Sequence, residues 1–252
     1  MLLDDTDKVQ RIFADSFPLH LRRLMIYGQH GLSQYLGDIL KYPSLFPAFK
    51  LYVFEDHRGL AYAEFRISDN RGFLSNIFVD SHLRGKGIGS QLIFHFMSEF
   101  PDVKSLQLDV FESNAGALRL YHNLGFKKQD ARAWYTRPLP TPASARSSID
   151  PRISELSTNS LISSIAMYER YGFTEHQTQS GISFGRIGET VLRCRAAEDA
   201  ENPEIIHARN RHFPQISEAF CISSEPLPPP WQQIDLSWRM TMRSQALSRG
   251  EQ

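Results

Sequence analysis

The sequence predicts an α+β fold, a mixed and mostly antiparallel sheet flanked by helices, followed by a smaller C-terminal α+β region. Three observations predict it. Apolar residues recur at three- and four-residue steps up to about residue 40, and β-branched and aromatic stretches separated by turn signals fill residues 50–79. From residue 84 a glycine-rich turn, a helical pattern, a strand pattern and a second helical pattern follow. Strand, helix, strand in that order implies one parallel crossover.

Taken in order, Val9, Ile12, Phe13 and Phe17, then Leu21, Leu24 and Met25, mark two or three short amphipathic helices broken near Pro18 and Gly28. Lys50-Leu-Tyr-Val-Phe-Glu55, Leu60-Ala-Tyr-Ala-Glu-Phe-Arg-Ile67 and Phe73-Leu-Ser-Asn-Ile-Phe-Val79 form an antiparallel meander, with Gly59 and Gly72 in the connections. After the glycine turn, Leu92, Ile93, Phe96 and Met97 share one face of a helix that stops at Pro101. Ser105-Leu-Gln-Leu-Asp-Val-Phe111 is a strand, and residues 115–123 are a helix capped by Gly125.

The 252 residues are 41% apolar and carry 28 basic and 28 acidic side chains. That balance disfavours nucleic acid as the main partner, because sequence-independent binding needs a basic excess. The start of the chain lacks a basic segment followed by an apolar one, and no apolar run approaches the roughly 20 residues of a membrane span, so the expectation is a cytoplasmic protein with no membrane partner. Cys194 and Cys221 are expected as buried small side chains, and because neither belongs to a Cys-x2-Cys pair, no metal site is assigned, although His207 and His212 have ligand-like spacing.

The proline-rich stretch Arg137-Pro-Leu-Pro-Thr-Pro142 and the Ser/Ala run after it cannot propagate helix or central strand. The expected division is therefore a domain over residues 1–139, a linker over 140–150 and a C-terminal region over 151–252.

Arg84-Gly-Lys-Gly-Ile-Gly89 carries most of the chemistry. Three glycines let backbone N–H groups approach an oxyanion, and a helix begins where they end, so its free N–H groups and dipole favour a diphosphate. A P-loop is excluded because no Gly-Lys-Ser/Thr occurs. A dinucleotide fingerprint would need glycine where Ser90 stands, although Asp109 lies about twenty residues on.

With these residues the chain resembles the GCN5-related N-acetyltransferase (GNAT) superfamily. The loop fits the family pattern Arg/Gln-x-x-Gly-x-Gly/Ala, and Leu108, Val110, Asn114, Ala117, Tyr121 and Gly125-Phe126 fit a second one in the right order. The resemblance covers residues 1–139. It implies that the backbone of Ile77, Phe78 and Val79, on a bulged strand, pairs with the pantetheine arm of acetyl-CoA like an added strand. It also implies that the amides of Arg84, Gly85, Lys86, Gly87, Ile88 and Gly89 hold the pyrophosphate, that Asn114 meets the cofactor where the next strand splays away, and that Tyr121 protonates the leaving thiolate. A bulge amide near Phe78 would help stabilise the oxyanion. Read without the resemblance, Asn114 is an N-cap and Tyr121 a half-buried helix residue.

For the general base, the strand position where some relatives carry Glu holds Phe73-Leu-Ser-Asn76 instead. Glu64 and Glu112 are the candidates, each readable also as a surface carboxylate. The acceptor, a small-molecule or peptide amine, is expected over the opening helices, where His20, Arg22, Arg23, Tyr27 and His30 make residues 17–35 polar and aromatic.

After the linker, Tyr168 stands four residues before Gly172-Phe173, as Tyr121 does before Gly125-Phe126. This reads either as a degenerate second GNAT-like half without a cofactor loop or as an unrelated capped helix. Residues 182–184 and 190–194 suggest a strand pair and residues 234–242 a terminal strand, serving to cover the first sheet or to form a homodimer. The expected activity is acetyl-CoA-dependent N-acetyl transfer. The competing class is a non-catalytic acyl-CoA-binding or interaction module.

Overall fold

The computed structural model describes residues 1–141, Leu156 and 158–244, with the side chains of 14, 15 and 158–160 left aside. All but the first two residues of the expected linker lie outside the described residues. The chain forms two units, neither continuous in sequence. One comprises Met1–Asp5, Ile39–Arg132 and the chain from Leu236; the other comprises Thr6–Asp38 and Ala133–Asp235. The expected helices form, as α1 (Thr6–Ser16), α2 (Leu19–Arg22) and α3 (Leu32–Lys41). However, residues 6–38 group with the second half of the chain rather than with the 1–139 stretch to which sequence order assigns them.

Specific contacts account for that grouping. The Arg170 guanidinium donates through Nε and Nη2 to the two carboxylate oxygens of Asp38 at 2.6 and 2.7 Å, and Tyr171 Oη donates to the same carboxylate at 2.6 Å. Arg23 pairs with Glu218. At Gly31 the backbones close so tightly that a Cβ would stand 2.1 Å from the Arg170 carbonyl oxygen.

In the first unit, β1 (Phe49–Asp56), β2 (Gly59–Ser68) and β3 (Arg71–Val79) form the expected meander. The helix α4 (Ile88–Glu99) crosses to β4 (Ser105–Phe111), which runs parallel to β3. Then α5 (Ala115–Asn123) leads into β5 (Lys127–Pro138). The strand beside β4 comes from the far end of the chain: β10 (Gln232–Arg243) pairs antiparallel with it, from Ser237 opposite Phe111 to Arg243 opposite Ser105. One sheet face packs on the helices. Ala61, Ala63, Phe65, Leu106, Leu108, Ile93 and Phe96 are buried there, with the Phe65 and Phe96 rings stacked 4.0 Å apart. Period-two alternation therefore turns Tyr62 and Glu64 to the opposite face.

The second unit repeats this order of strands. Helix α6 (Thr158–Tyr171) precedes an antiparallel run of β6 (Phe173–Gln177), β7 (Ser183–Ile187) and β8 (Val191–Arg193). Helix α7 (Pro203–His212) then crosses to β9 (Glu218–Ser223), parallel to β8. On the outer side of β9 lies the end of β5, from Ala133 opposite Ser223 to Pro138 opposite Glu218. Each unit thus takes its fifth strand from the other half of the sequence. The topology also relocates the Tyr-x3-Gly-Phe echo. Helix α6 precedes a meander in sequence, as α3 precedes β1, whereas α5 follows the parallel strand.

Candidate active site

β3 and β4 are in register only from Arg71 opposite Ser105 to Leu74 opposite Leu108. Beyond that point they part, because Ser75 is an extra residue: Glu64 lies opposite Asn76 while its neighbour Phe65 lies opposite Leu74. Among the described residues, the β4-facing edge of 75–79 has no strand partner, and it includes Ile77, Phe78 and Val79. An unpaired strand edge is a row of donors and acceptors for an extended ligand. The bulge itself sits at Ser75, three residues before Phe78, so its amide is that of the 75–76 region. Ser75 Oγ is buried with no hydrogen-bond partner among the described residues, and sequence reasoning passed it over; its strand position beside the missing glutamate was the available signal.

The glycine turn starts where β3 stops. Asp80 caps the first step by accepting from His82 N at 3.0 Å, and Arg84 Nε donates to the Val79 carbonyl at 3.0 Å, tying the loop to the strand end. Lys86 Nζ donates to the His82 carbonyl at 2.7 Å. Gly85 and Gly87 have φ of 74° and 78°, the left-handed region that glycine enters without strain, and no atom of the described residues lies within 4 Å of where their Cβ atoms would be. Gly87 is the N-cap of α4 and no side chain caps the helix there. The first-turn N–H groups of Ile88 and Gly89 therefore have no side-chain cap at the positive end of the helix dipole.

Asn114 is the N-cap of α5, its Oδ1 accepting from Ala117 N at 3.0 Å, so the capping role read from sequence is realised. Tyr121, two turns on, is 4% exposed, its ring centroid 5.5 Å from that of Phe126. Burial pushes its phenol well above the ordinary value of 10, so the hydroxyl stays protonated across the neutral range. The two candidate carboxylates differ. Glu64 is fully buried on the sheet face away from Tyr121's cluster and accepts from Tyr62 Oη at 3.2 Å and from Arg66 at 3.2 and 3.3 Å. Glu112 is exposed and accepts from Trp238 Nε1 at 3.1 Å. Of the expected acceptor-side residues, Arg22, Arg23, Tyr27 and His30 line one cavity in the second unit, and His20 is not among its walls. Cys194 and Cys221 are free and buried, and among the described residues no three His, Cys, Asp or Glu side chains lie close enough to hold a metal.

A meander whose last strand splays from a parallel neighbour above a glycine-capped helix is the architecture of acyl-CoA acyltransferases of the GNAT fold. The likeness extends over nearly the whole chain: the GCN5-related N-acetyltransferase from Sphaerobacter thermophilus superposes with a TM-score of 0.56 at 12% identity, covering 97% of this chain and 94% of that one. A tandem GNAT protein from the clavulanic acid biosynthesis pathway superposes with a TM-score of 0.52 at 14% identity, covering 79% and 84%.

The chain belongs to the acetyltransferase (GNAT) family, whose profile matches residues 7–126. It is 31% identical over 99 residues to the ribosomal protein bS18-alanine N-acetyltransferase of Escherichia coli strain K12, a match over 33% of this chain and 67% of that one. It is 32% identical over 62 residues to the spermine/spermidine N(1)-acetyltransferase of Bacillus subtilis strain 168, a match over 23% of this chain and 41% of that one. The matched stretch thus spans less than half the length of the polyamine enzyme.

Proposed function

We propose that this protein is an N-acetyltransferase that moves an acetyl group from acetyl-CoA to an amine by direct attack, with all the reacting groups in the first unit. One observation carries the reading: the unpaired edge of 75–79 runs straight into the open glycine turn, so an extended arm ending in a diphosphate fits both at once. The fit is specific, since a Cβ at Gly85 or Gly87 would project into the space the diphosphate needs. Bound acetyl-CoA would supply a thioester whose acetyl carbon an amine attacks, with the thiolate leaving.

The chain's own residues then divide the work. The backbone of Ile77, Phe78 and Val79 pairs with the arm, the amides of 84–89 hold the diphosphate, and Asn114 borders the arm beside β4. Arg84 and Lys86 can release their carbonyl partners to reach phosphate oxygens. Tyr121 holds the proton destined for the sulfur, and a donor so placed contributes about 10²–10⁴-fold. Glu64 is the favoured base, because it lies opposite Asn76 at the bulge; Glu112 is the second candidate.

The acceptor class is a primary amine on a small molecule or a peptide, in keeping with the spermine, spermidine and ribosomal-protein alanine substrates named for the relatives. A cytoplasmic setting accords with two buried free thiols and with the lack, among the described residues, of any helix long and apolar enough to cross a membrane.

Thermal unfolding with acetyl-CoA, and with NADH as control, tests the cofactor. Ligand at about a hundred times its dissociation constant adds roughly 2.7 kcal/mol, a shift of a few degrees. Absence of a shift at millimolar acetyl-CoA would overturn the reading. If binding is found but no amine is acetylated, the protein is a CoA-binding module instead.

A further inference from the structure

The second unit holds a cavity of about 490 Å³, a size suited to a small ligand. One wall is formed by residues 19–30 and the other by the β7–β8 turn, residues 187–191. Glycines allow both walls to close in. At Gly28 a Cβ would stand 2.1 Å from the Arg22 carbonyl oxygen, and Gly188, at φ 55°, lies against the Gln29 amide.

Most polar groups of the lining are already committed. Gln10 donates to the His30 carbonyl at 3.0 Å and accepts from Ser33 N at 2.7 Å; Gln29 donates to the Met25 carbonyl at 3.0 Å. Arg23 is paired with Glu218. Two charged groups are left over. Arg22, partly buried, and Glu189, exposed, line the same cavity, one on each wall, and the side chain of neither makes a hydrogen bond or ion pair with another described residue. Glu189 only feels the buried Arg186 through space.

Opposite charges that share a cavity without pairing leave room for a ligand carrying the complementary pair. A simple anion would be repelled by Glu189 and a polyamine by Arg22; a zwitterion meets an opposite charge at each end. We propose that this cavity is a binding site for a small zwitterion of the amino-acid class, its carboxylate on Arg22 and its ammonium on Glu189. None of the residues that would hold acetyl-CoA or move its protons lines the cavity, although four of the expected acceptor-side residues do; binding measured without acetyl-CoA is therefore read apart from acetyl transfer.

The test uses the full chain without acetyl-CoA. A panel of the twenty L-amino acids at about 10 mM is screened by thermal shift, and the best binder is titrated calorimetrically beside its N-acetyl and carboxamide derivatives. We expect each derivative to bind at least about tenfold more weakly, as the loss of one charge-assisted contact requires. Arg22→Gln should weaken the amino acid about tenfold and leave its carboxamide nearly unaffected, while Glu189→Gln should do the same for the amino acid and spare the N-acetyl form. Melting curves of both variants, expected within a few degrees of the parent, separate lost binding from lost fold. The proposal is overturned if no amino acid shifts the transition, or if one binds with an affinity that neither substitution changes.

Discussion

After β3 the chain turns through Gly85 and Gly87 with open space beside both; after β8 it turns through Ala197–Glu201 and fills the corresponding donors itself. Asp199 Oδ2 accepts from the backbone N–H groups of Arg195 and Ala196 at 2.8 and 3.0 Å. Asn202 Oδ1 accepts from Glu204 N and Ile205 N, and Pro203 removes a third donor from the start of α7. The strands differ in step. β3 runs on for five residues past its last pairing with β4, whereas β8 pairs with β9 up to Arg193 opposite Phe220, and Cys194 N still bonds the Phe220 carbonyl at 2.8 Å. One order of elements thus yields an open anion cradle in one unit and a closed, internally capped turn in the other. Binding capacity resides in what the turn leaves unsatisfied, and the topology alone does not supply it.

The largest expected effect is that of Tyr121→Phe, which should lower turnover about 10²–10⁴-fold while leaving the acetyl-CoA dissociation constant within about twofold. Steady-state kinetics and calorimetry read the two quantities. Unchanged turnover would remove the first unit's claim to the chemistry. Next, Gly87→Glu should weaken acetyl-CoA about 100-fold or more, since it sets a like charge in the cradle. The non-glycine left-handed residue should cost only about 1–2 kcal/mol of stability. The mirror experiment sharpens the contrast: Asp199→Asn in the closed turn should create no acetyl-CoA binding, and if it did, the two turns would be the same device with one plugged.

Protonation separates the units as well. His176 is 1% exposed in the second unit, and burial holds its imidazole down at about 4, against an ordinary 6.5. Its folded value is depressed, so the unfolded chain binds the proton first as pH falls. Stability is full above about pH 6.5 and declines toward pH 4, by up to about 3 kcal/mol. Tyr121 works the other way, with stability full below pH 10 and lost above it. Urea unfolding at pH 4.5 and 7, with His176→Gln as control, checks the acidic side; a parent as pH-insensitive as the variant would contradict it. The smallest effects are those of the caps. Asn202→Ala and Asn114→Ala should each lower stability by about 1 kcal/mol in thermal melts, and only the second should also weaken acetyl-CoA.

How far the chain could be read from its sequence follows the same divide. The meander, the glycine turn, α4, β4 and α5 were legible because each is a local pattern: alternation, left-handed glycines, an apolar helix face, a Gly cap. After the linker, 182–184 and 190–194 anticipated β7 and β8 of the second unit, and 234–242 anticipated β10, most of which belongs to the first. What escaped was pairing at long range. Nothing local in 133–138 or 237–243 says which strand they will lie beside, and the Asp38–Arg170 pair, 132 residues apart, has no sequence signature. The Tyr-x3-Gly-Phe echo pointed toward a second half of similar strand order but not to the place of its helix, for a related reason: a helix ended by glycine and followed by a strand is a local unit that serves at different places in the topology. At the candidate site the motif residues were legible, while the bulge at Ser75 and the bonding of Glu64 and Glu112 depend on cross-strand neighbours.

The placement of β10 beside β4 sets a timetable. During synthesis β4 emerges roughly 125 residues before its partner, which at about 5–20 residues per second is a wait of about 6–25 s. Through that interval the edge of β4 and the side chains of Leu106, Leu108 and Val110 must be kept from pairing with other nascent chains. The first unit, although most of it is made by residue 132, is therefore the last to close, and a ribosome that stalls anywhere before residue 237 releases a chain in which β4 is left as a raw edge.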